Sequence, residues 1–558
     1  MANLRTALKT SLLCCALALL ASCRHGIEIV GQGNVTSASG TRNCSRNAAP
    51  CRFEIEGAYN ETYTATPAAG WLHDAWERCQ EPTGNRCRFF IGADVTSQFP
   101  DADVPGAVAR FRRPIEPLFR NANGAFVLPE GGATEQLAWL LGELRQSSTS
   151  IGEIQAHFSP EFLQNASPSS VQASIDQMRS AVSDPEISDL ITATPVFTRA
   201  VVQNRGANTN GLFISVNASY ATGGLITGLQ FRTGFPRGGS NVASADAGLN
   251  FQQLGAKFAG LASNTSMLVA SIDNDRCRPL FNQAAGTPRP TGSIFKLWVL
   301  GALTEEIRAG RIASTQMVPL SADYLVPAGA SINDTPLGTQ FSISELANLM
   351  IGISDNTATD HLHALVGRDR IEAILQPFGN KNRDLLTPFL STNEQFHIFW
   401  SLAPALAASY AEGTEEEQRS ILENSIEPLG PVTEFARNNQ DALFNSSWAA
   451  SALDVCQAYA GLRRFDNRSA AFDVMDQAAG ADAVLLSARS RWDRVWAKGG
   501  SLANAQGNYV FTLSWLFESD EKGAYVVVLR ASNPDGSPVD SAPAFSIAAR
   551  TEQIVFNR

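Results

Sequence analysis

The sequence predicts a multidomain protein built from a small disulfide-stapled β module, an α+β domain, and a larger domain in which β-strands enclose a block of helices. The chain has 558 residues, 44% of them hydrophobic, and is therefore long enough to bury several cores. Paired cysteines stand in its first part, and helical patterns precede strand-like runs in its second. In its last part, strand-like runs near both ends flank helical patterns. These patterns divide the chain into three domains, at residues 24–115, 133–238 and 246–558.

Residues 1–22 have the features of a signal peptide. Arg5 and Lys9 precede an apolar run, Leu12–Leu20, that is too short to cross a bilayer. The following Leu-Ala-Ser-Cys resembles the bacterial lipobox, which implies that Cys23 is diacylated and becomes the mature N-terminus. The alternative is an ordinary secretory signal followed by an incidental cysteine. We therefore expect an exported bacterial lipoprotein, anchored by lipid to a membrane, in the periplasm or on the cell surface.

Charge and composition exclude several classes of function. The net charge of −11 and the lack of basic stripes argue against a nucleic-acid partner. We expect no cofactor and no metal, because the six histidines form no ligand pair. His361 and His363 are two residues apart and would point away from each other on a helix.

Residues 24–115 predict the β module, through short strand-like runs at Gly26–Val30, Cys51–Ile55 and Thr62–Thr66. Clustered cysteines in an exported chain predict disulfides, most simply Cys44 with Cys51 and Cys79 with Cys87. The two remaining cysteines, Cys277 and Cys456, either pair with each other or stay as buried thiols.

The order of conspicuous residues in this module resembles the internalin-type B repeat of bacterial surface proteins. The resemblance rests on Val35-Thr-Ser, Tyr63–Pro67, Gly70-Trp71, Trp76 and Asp94-Val-Thr-Ser97 around the two cysteine pairs. It implies either a partner-binding module or a spacer that lifts the following domains off the membrane, and we favour the spacer.

Residues 133–238 predict an α+β domain, because helical patterns come first and strand-like runs follow. The helices are expected at Thr134–Leu144, Ser150–Phe158 and Ser169–Ala181, and the strands at Pro195–Val202, Leu212–Asn217 and Leu225–Arg232. The pattern resembles the cystatin-like or ketosteroid-isomerase-like domain that precedes some β-lactamase-like hydrolase domains, as in clavulanate biosynthesis clusters. Without a clustered acid and base, we favour a packing role over ligand binding. Gly234–Ser244 then predicts a linker.

A candidate nucleophile lies at the start of a predicted helix in the third domain. Pro290 and Gly292 interrupt regular structure, and an apolar helical pattern then runs to Gly310. Ser293 therefore falls in the first turn, and Lys296 lies three residues later on the same face. An amine with a lowered pKa next to a serine hydroxyl can take its proton and activate it.

Two further motifs follow in order, Ser354-Asp355-Asn356 and Lys498-Gly499-Gly500. Together with Ser293-x-x-Lys296, they resemble the motif set of class A β-lactamases and penicillin-recognising serine hydrolases. The resemblance extends over about 246–558 and implies an α/β sandwich with the active site between sheet and helices. The first strand is expected at Ser266–Ile272, the closing strands at Asn508–Phe517 and Tyr525–Leu529, and the last helix at Ala542–Ile554.

The resemblance also implies the roles of the site residues. Ser293 is the nucleophile, Lys296 its base, Ser354 a proton relay, and Asn356 positions the substrate or Lys296. Lys498 offers a cation to the substrate, and Gly499 and Gly500 contribute to substrate binding. The backbone N–H groups of Ser293 and Ser501 form the oxyanion hole. Asp355 is expected to be structural, as a carboxylate that accepts backbone N–H bonds.

Two departures from the family pattern bear on mechanism. Gly499 replaces the hydroxyl residue that usually follows the lysine, which weakens recognition of a substrate carboxylate unless Ser501 compensates. The family's Glu-x-x-Leu-Asn deacylation segment is not evident within Leu386–Phe396. The one glutamate there, Glu394, stands three residues after Ser391 and so has the spacing of a helix-capping box. The chain between the last two motifs is also long, with the excess expected around Ala411–Phe435.

Two functions from different classes remain. The first is a serine acyl hydrolase that acts through an acyl-enzyme on small β-lactam, ester or peptide-like substrates. The second is a surface lipoprotein whose degenerate hydrolase-like domain binds cell-wall fragments or a protein without turnover.

Overall fold

The computed structural model describes residues 23–55, 57–93, 103–206, 210–433, 439 and 447–558. The chain forms two compact units: one extends to Pro114 and includes Asp273–Arg276, and the other comprises Ile115–Ile272 and Cys277–Arg558. The predicted signal peptide, the Asp94–Ser97 run and the side chain of Cys23 lie outside what the structure describes. No helix in the described ranges is long and apolar enough to cross a membrane.

The first unit is a β structure. Two sheets have the strand orders β4-β1-β9-β6 and β3-β2-β5-β8-β7. Their strands are β1 (Cys23–Val30), β2 (Gly33–Ser37), β3 (Cys44–Ser45), β4 (Cys51–Ile55), β5 (Tyr59–Pro67), β6 (Leu72–Glu77), β7 (Glu81–Thr83), β8 (Arg86–Ile91) and β9 (Asp103–Arg112). Buried and exposed residues alternate along β2 and β8, as strands with one covered face require.

Disulfides staple this small core. Cys44 pairs with Cys51 and Cys79 with Cys87, so both predicted bonds are confirmed. The open question about the other two cysteines is also settled, because Cys277 and Cys456 form a third disulfide in the second unit. That bond closes a loop with a sequence separation of 179, far longer than the other two.

The α+β part of the second unit is an antiparallel sheet covered by helices. The strands, in the order β10-β11-β12-β13, are β10 (Pro185–Ala193), β11 (Phe197–Asn204), β12 (Gly211–Ala218) and β13 (Ile226–Phe235). The helices are α1 (Gly132–Leu144), α2 (Ile151–His157), α3 (Pro160–Asn165) and α4 (Pro168–Ala181). The sequence did not reveal β10, whose Glu186, Ser188 and Asp189 interrupt any apolar pattern.

Buried polar contacts join this sheet to the last part of the chain. Asp189 accepts a hydrogen bond from the Ser487 backbone N–H (2.6 Å), and the Arg489 guanidinium donates to the Leu190 carbonyl (2.7 Å). Thr192 donates to Asp482 (3.0 Å). The predicted second and third domains therefore pack as one unit in spite of the predicted linker.

The rest of the second unit is a five-stranded antiparallel sheet with helices on both faces. Its order is β15-β14-β22-β21-β20, with β14 (Asn264–Asp273), β15 (Arg276–Gln283), β20 (Arg494–Asn504), β21 (Gly507–Ser519) and β22 (Gly523–Ser532). Short strand pairs are β16 (Arg289–Pro290) with β19 (Ala449–Ala450), and β17 (Met317–Pro319) with β18 (Gln340–Ser342). The expected first and closing strands are thus present, separated in sequence by helices.

One face carries α5 (Phe251–Ala259) and α16 (Ala542–Phe556), and the other carries the helical block. The block consists of α6 (Lys296–Arg308), α7 (Ile343–Gly352), α8 (Asn356–Val366), α9 (Arg368–Leu375), α10 (Thr392–Phe396), α11 (Pro404–Glu412), α12 (Glu415–Ile421), α13 (Ala452–Leu462) and α14 (Ala470–Ala479). The short helix α15 (Ala488–Arg491) packs instead with the core that contains α5 and α16. Helix α6 is buried nearly all round, which explains its apolar sequence. The described part of the predicted extra length contains α12 and the helical turn Leu422–Ile426.

Candidate active site

Ser293 lies in a tight turn between a short strand and a buried helix. Gly292–Phe295 form a 3₁₀ turn, and α6 begins at Lys296. Gly292 has φ +50, a conformation that a residue with a Cβ adopts only with strain. The sequence placed Ser293 in the first turn of the helix, and the structure places it one tight turn ahead of α6. Its hydroxyl is half-buried and makes no hydrogen bond with any described residue.

The chain leading into this turn is fixed by a buried arginine. Arg530, on β22, donates to the carbonyls of Ala450, Arg289 and Pro290. From the neighbouring strand, the Thr512 hydroxyl donates to the Thr291 carbonyl (2.8 Å). The nucleophile turn is thereby tied to the sheet by its backbone, immediately before the serine.

Lys296 points into the protein. Its Nζ donates to the Ser354 carbonyl (2.6 Å) and to Asn356 Oδ1 (2.7 Å), and it lies 3.3 Å from Ser354 Oγ. Burial lowers the pKa of Lys296 to about 7, although Asp355 and Asp360 act in the opposite direction. A substantial share of this amine is therefore neutral at neutral pH and can accept a proton.

Ser354 holds the centre of the site. It has φ +65, the left-handed region that serine rarely adopts. Lys498 donates to its Oγ (2.9 Å), and Lys296 approaches the same oxygen from the other side. A neutral Lys296 spends its two N–H groups on the Ser354 carbonyl and on Asn356, so its lone pair is left for the Ser354 hydroxyl proton. The geometry permits a proton path from Lys498 through Ser354 to Lys296.

A surface loop clamps the segment that carries Ser354. Asp355 caps α8 by accepting from the Ala358 N–H (2.8 Å), and it also accepts from the Ser331 hydroxyl (2.7 Å). Asn356 donates through its amide to the Ala328 carbonyl (2.7 Å), which turns its oxygen towards Lys296. Asp355 thus makes only structural contacts here, while Asn356 positions Lys296.

Lys498 is almost fully enclosed on the edge strand β20. Its Nζ donates to Ser354 Oγ and to the Gly499 carbonyl (2.8 Å). Burial holds the pKa of Lys498 well below its usual value, and the nearby charge of Lys296 lowers it further. A positive charge on either amine disfavours protonation of the other, so the surroundings oppose double protonation of the pair.

Two glycines bring the nucleophile turn against β20. A Cβ added at Gly500 would lie 2.4 Å from the Ser293 backbone nitrogen, and one added at Gly292 would lie 2.8 Å from the Ser501 backbone nitrogen. The backbone N–H groups of Ser293 and Ser501, which are assigned to the oxyanion hole, therefore both lie where the nucleophile turn contacts β20. As the edge strand of its sheet, β20 has one side that pairs with no neighbouring strand.

Glu394 is engaged in structure. Its carboxylate accepts from the Ser391 N–H (2.7 Å) while the Ser391 hydroxyl accepts from the Glu394 N–H (3.1 Å), which is the capping box of α10. The same carboxylate pairs with Arg368. Burial alone would raise the pKa of Glu394, but Arg368 outweighs it and keeps the pKa below its usual value. The group is ionised and fully partnered.

Sequence reasoning missed three supporting residues. Arg530 and Ser331 contact the site only through backbone or neighbouring side chains, so no motif marks them. Asp360 is buried on α8 and accepts from the N–H groups of Thr392 and Asn393, which holds α10 in place. A charged residue four positions after Asn356 on a helix was the available signal. Within the described ranges, no cluster of three metal-ligating side chains occurs.

The buried amine of Lys296 should make stability depend on pH. Its pKa is about 7 in the folded chain and near 10.5 when unfolded, so the unfolded state binds more protons between these values. We expect the free energy of unfolding to rise from pH 7.5 to 9.5, by at most a few kcal/mol. Lys296→Met should reduce this rise, with the remainder supplied by Lys498, whose pKa is also lowered. Lys381→Met, which changes an exposed lysine, should not reduce it. Equal slopes in denaturant titrations of all three proteins would contradict the assignment.

The backbone contact at Gly500 should be indispensable for acylation. Gly500→Ala forces its Cβ into the Ser293 backbone, whereas a Cβ at Gly499 lies 3.3 Å from the Thr512 carbonyl and needs only a small shift. We expect Gly500→Ala to lower the rate of labelling by an activated ester by about 10² or more, the usual cost of a lost oxyanion donor. Gly499→Ala should retain most of it. Labelling of folded Gly500→Ala at the wild-type rate would show that this contact is not the oxyanion hole.

The second unit is similar to known β-lactamase-like proteins. A family model described as the beta-lactamase enzyme family matches residues 250–417, which include Ser293, Lys296, Ser354 and Asn356. No curated protein matches the chain.

Among solved structures, a β-lactamase from Chitinophaga pinensis is 16% identical, with a TM-score of 0.38, and the match covers 55% of this chain and 97% of that one. A β-lactamase from Sphaerobacter thermophilus is also 16% identical, with a TM-score of 0.37 and coverage of 55% and 96%. One from Francisella tularensis is 13% identical, with a TM-score of 0.36 and coverage of 55% and 98%. The family model therefore marks residues 250–417 of the second unit as similar to the beta-lactamase enzyme family.

Proposed function

We propose that this chain is a serine acyl hydrolase that forms an acyl-enzyme on Ser293 and turns over small esters better than β-lactams. The observation that carries the proposal is the convergence of two buried amines, Lys296 and Lys498, on the Ser354 hydroxyl. Burying two amines costs desolvation free energy, and apolar side chains of similar size would pack equally well. Proton transfer is the function that explains why two amines are buried here.

In the proposed reaction, Ser293 Oγ attacks an acyl carbon while its proton passes to Lys296, directly or through Ser354. The carbonyl oxygen becomes an oxyanion between the N–H groups of Ser293 and Ser501. Ser354, resupplied by Lys498, then protonates the leaving group, and water later releases the acyl group. The free hydroxyl of Ser293 fits a resting state in which the substrate completes the hydrogen bonds of the site.

The preference for esters follows from what surrounds Lys498. Its Nζ already has two acceptors, and Gly499 supplies no hydroxyl beside it. A substrate carboxylate therefore finds a weaker partner than the resemblance implies. Release of a bulky acyl group is also impeded, because Glu394 is tied to Arg368 and to the α10 cap. Small acyl groups leave room for Lys296 or Ser354 to direct a water.

The alternative function is binding of cell-wall fragments or a protein without turnover. It is supported by the absence of a hydrogen bond between Ser293 and a base among the described residues. Both functions predict ligand binding, but only the first predicts a covalent bond to Ser293.

Covalent labelling separates the two functions. A fluorescent penicillin or an activated ester should add to wild type and to Ser174→Ala, whose serine lies on α4, but not to Ser293→Ala or Lys296→Ala. Because members of a catalytic unit are not additive, the double variant should lose little more than either single one. Intact-mass spectra read the adduct directly. Normal labelling of folded Ser293→Ala would overturn the assignment and favour the binding function.

The fate of the acyl group is a separate prediction. With nitrocefin we expect a burst followed by slow turnover, because a missing general base typically costs about 10² to 10⁴ in rate. A short-chain aryl ester should turn over faster in the steady state. Glu394→Gln should lower the melting temperature and change turnover less, since it removes the partner of Arg368. Fast, burst-free nitrocefin hydrolysis that is lost in folded Glu394→Gln would identify Glu394 as the base instead.

We also propose that Cys23 carries the lipid anchor, on the strength of the Leu-Ala-Ser that precedes it. A single acyl chain binds membranes only marginally, whereas several chains on one cysteine hold firmly. Labelled palmitate should enter the wild type and Cys15→Ala, whose cysteine lies inside the signal segment, but not Cys23→Ala. Equal incorporation into all three would refute the anchor.

A further inference from the structure

An open groove lies at the edge of the α+β sheet. It has a volume of about 690 Å³, within the range of about 300–1,000 Å³ typical of small-molecule sites. One wall is the C-terminal half of α1, another is the edge strand β10, and the loop at 123–128 closes the third side. No residue of the candidate active site lines it.

Four arginines line this groove: Arg120, Arg145, Arg205 and Arg237. Two of them are held by carbonyls, which fix a guanidinium without neutralising it: Arg120 donates to Arg489 (2.6 Å) and Arg145 donates to Pro185 (2.6 Å).

Four carboxylates offset part of this charge, two by pairing with arginines and two, Asp189 and Asp493, by their effect on Arg120. Arg237 pairs with Glu186 (3.0 Å), while Asp184 lies 3.6 Å from Arg205 and 3.8 Å from Arg145. Of the residues that line the groove, four are arginines and one, Glu186, is a carboxylate, so the lining itself has a positive excess on a chain whose net charge is −11. Guanidinium groups are planar donors suited to carboxylate and phosphate.

The floor between the arginines is apolar. Phe126, Leu128 and Ile187 are half-buried and pack on the core beneath the sheet, and Leu141 of α1 lies beside them. A small inorganic anion would leave this surface uncovered. A ligand with an apolar body and an anionic head would cover this apolar surface, and removing the surface from water would add to the binding free energy.

We propose that this groove binds a small amphiphilic anion, a molecule with one carboxylate or phosphate head group and an alkyl body. The arginines hold the head, and the apolar floor holds the body. The two walls formed by α1 and β10 lie in residues 133–238, to which the sequence analysis assigns a packing role, and the groove adds a binding site to the one around Ser293.

Titration calorimetry on the full chain with decanoate tests the site. Decanoate should bind saturably, acetate at least roughly tenfold more weakly because it lacks the alkyl body, and decyltrimethylammonium not at all. Dodecyl phosphate, run in parallel, distinguishes a phosphate head from a carboxylate. The double variant Arg145→Gln/Arg237→Gln should lower decanoate affinity by roughly tenfold or more.

Matched variants exclude a folding defect and the active site. Ala138→Glu places a negative charge at an exposed position in the groove and should abolish binding, whereas Ala173→Glu, exposed on α4, should not. Arg232→Gln, an exposed arginine of β13 outside the groove, and Ser293→Ala should bind decanoate as the wild type does. Absence of saturable binding, or equal affinity in Ala138→Glu and Ala173→Glu, would overturn the proposal. Decanoate binding that Ser293→Ala abolishes would overturn it too.

Discussion

The hydroxyl of Ser354 between two buried amines is the constraint on which the rest of the catalytic unit depends. Among the described residues, no carboxylate is hydrogen-bonded to Lys296 or Lys498, and the nearby acids offset only part of the effect of burial. Burial therefore lowers the pKa of both amines, and the charge of Lys296 lowers the pKa of Lys498 further. A shared proton on a short path is the state that acid and base catalysis need.

Holding Ser354 between those amines has a conformational cost. Its left-handed backbone costs about 1–3 kcal/mol and persists only where the surroundings impose it. Those surroundings are the Ser331 bond to Asp355 and the backbone bond from the Asn356 N–H to the Gly329 carbonyl (2.8 Å). The loop that carries Ser331 and Gly329 thus belongs to the catalytic unit, although it has no reactive group.

The fold around this unit was predictable where patterns are local. Both short-range disulfides, the turn at Gly292 and the capping box at Glu394 each depend on a few adjacent residues. The sequence failed where long-range burial decides the outcome. Strand β10 contains Asp189 because that carboxylate accepts a hydrogen bond from the backbone N–H of Ser487, far along the chain. Arg530 can be buried because it donates hydrogen bonds to three carbonyls.

The candidate site was predictable in its members but less so in its connections. Hydrogen bonds join Lys296, Ser354, Asn356 and Lys498, and the Ser293 backbone lies against Gly500. The amine of Lys296, however, donates to Ser354 and Asn356 rather than to Ser293. Spacing along a helix places two residues on one face, but it does not decide between acceptors that a distant loop supplies. That choice is made by the clamp at Ser331, which no pattern near Ser293 encodes.

The acids of the α10 region complete the argument about acyl release. Glu394 and Asp360 both serve backbone N–H groups at the start of α10, and Glu394 additionally neutralises Arg368. Burial raises the pKa of Asp360 to about 7, because its two backbone bonds offset only part of the desolvation. A carboxylate that gives up its cap to activate water would leave buried N–H groups unpaired, at about 1–3 kcal/mol each. The groups that hold this helix in place are thus withheld from chemistry, so the proposed function assigns proton transfer in both halves of the reaction to the lysine pair and Ser354.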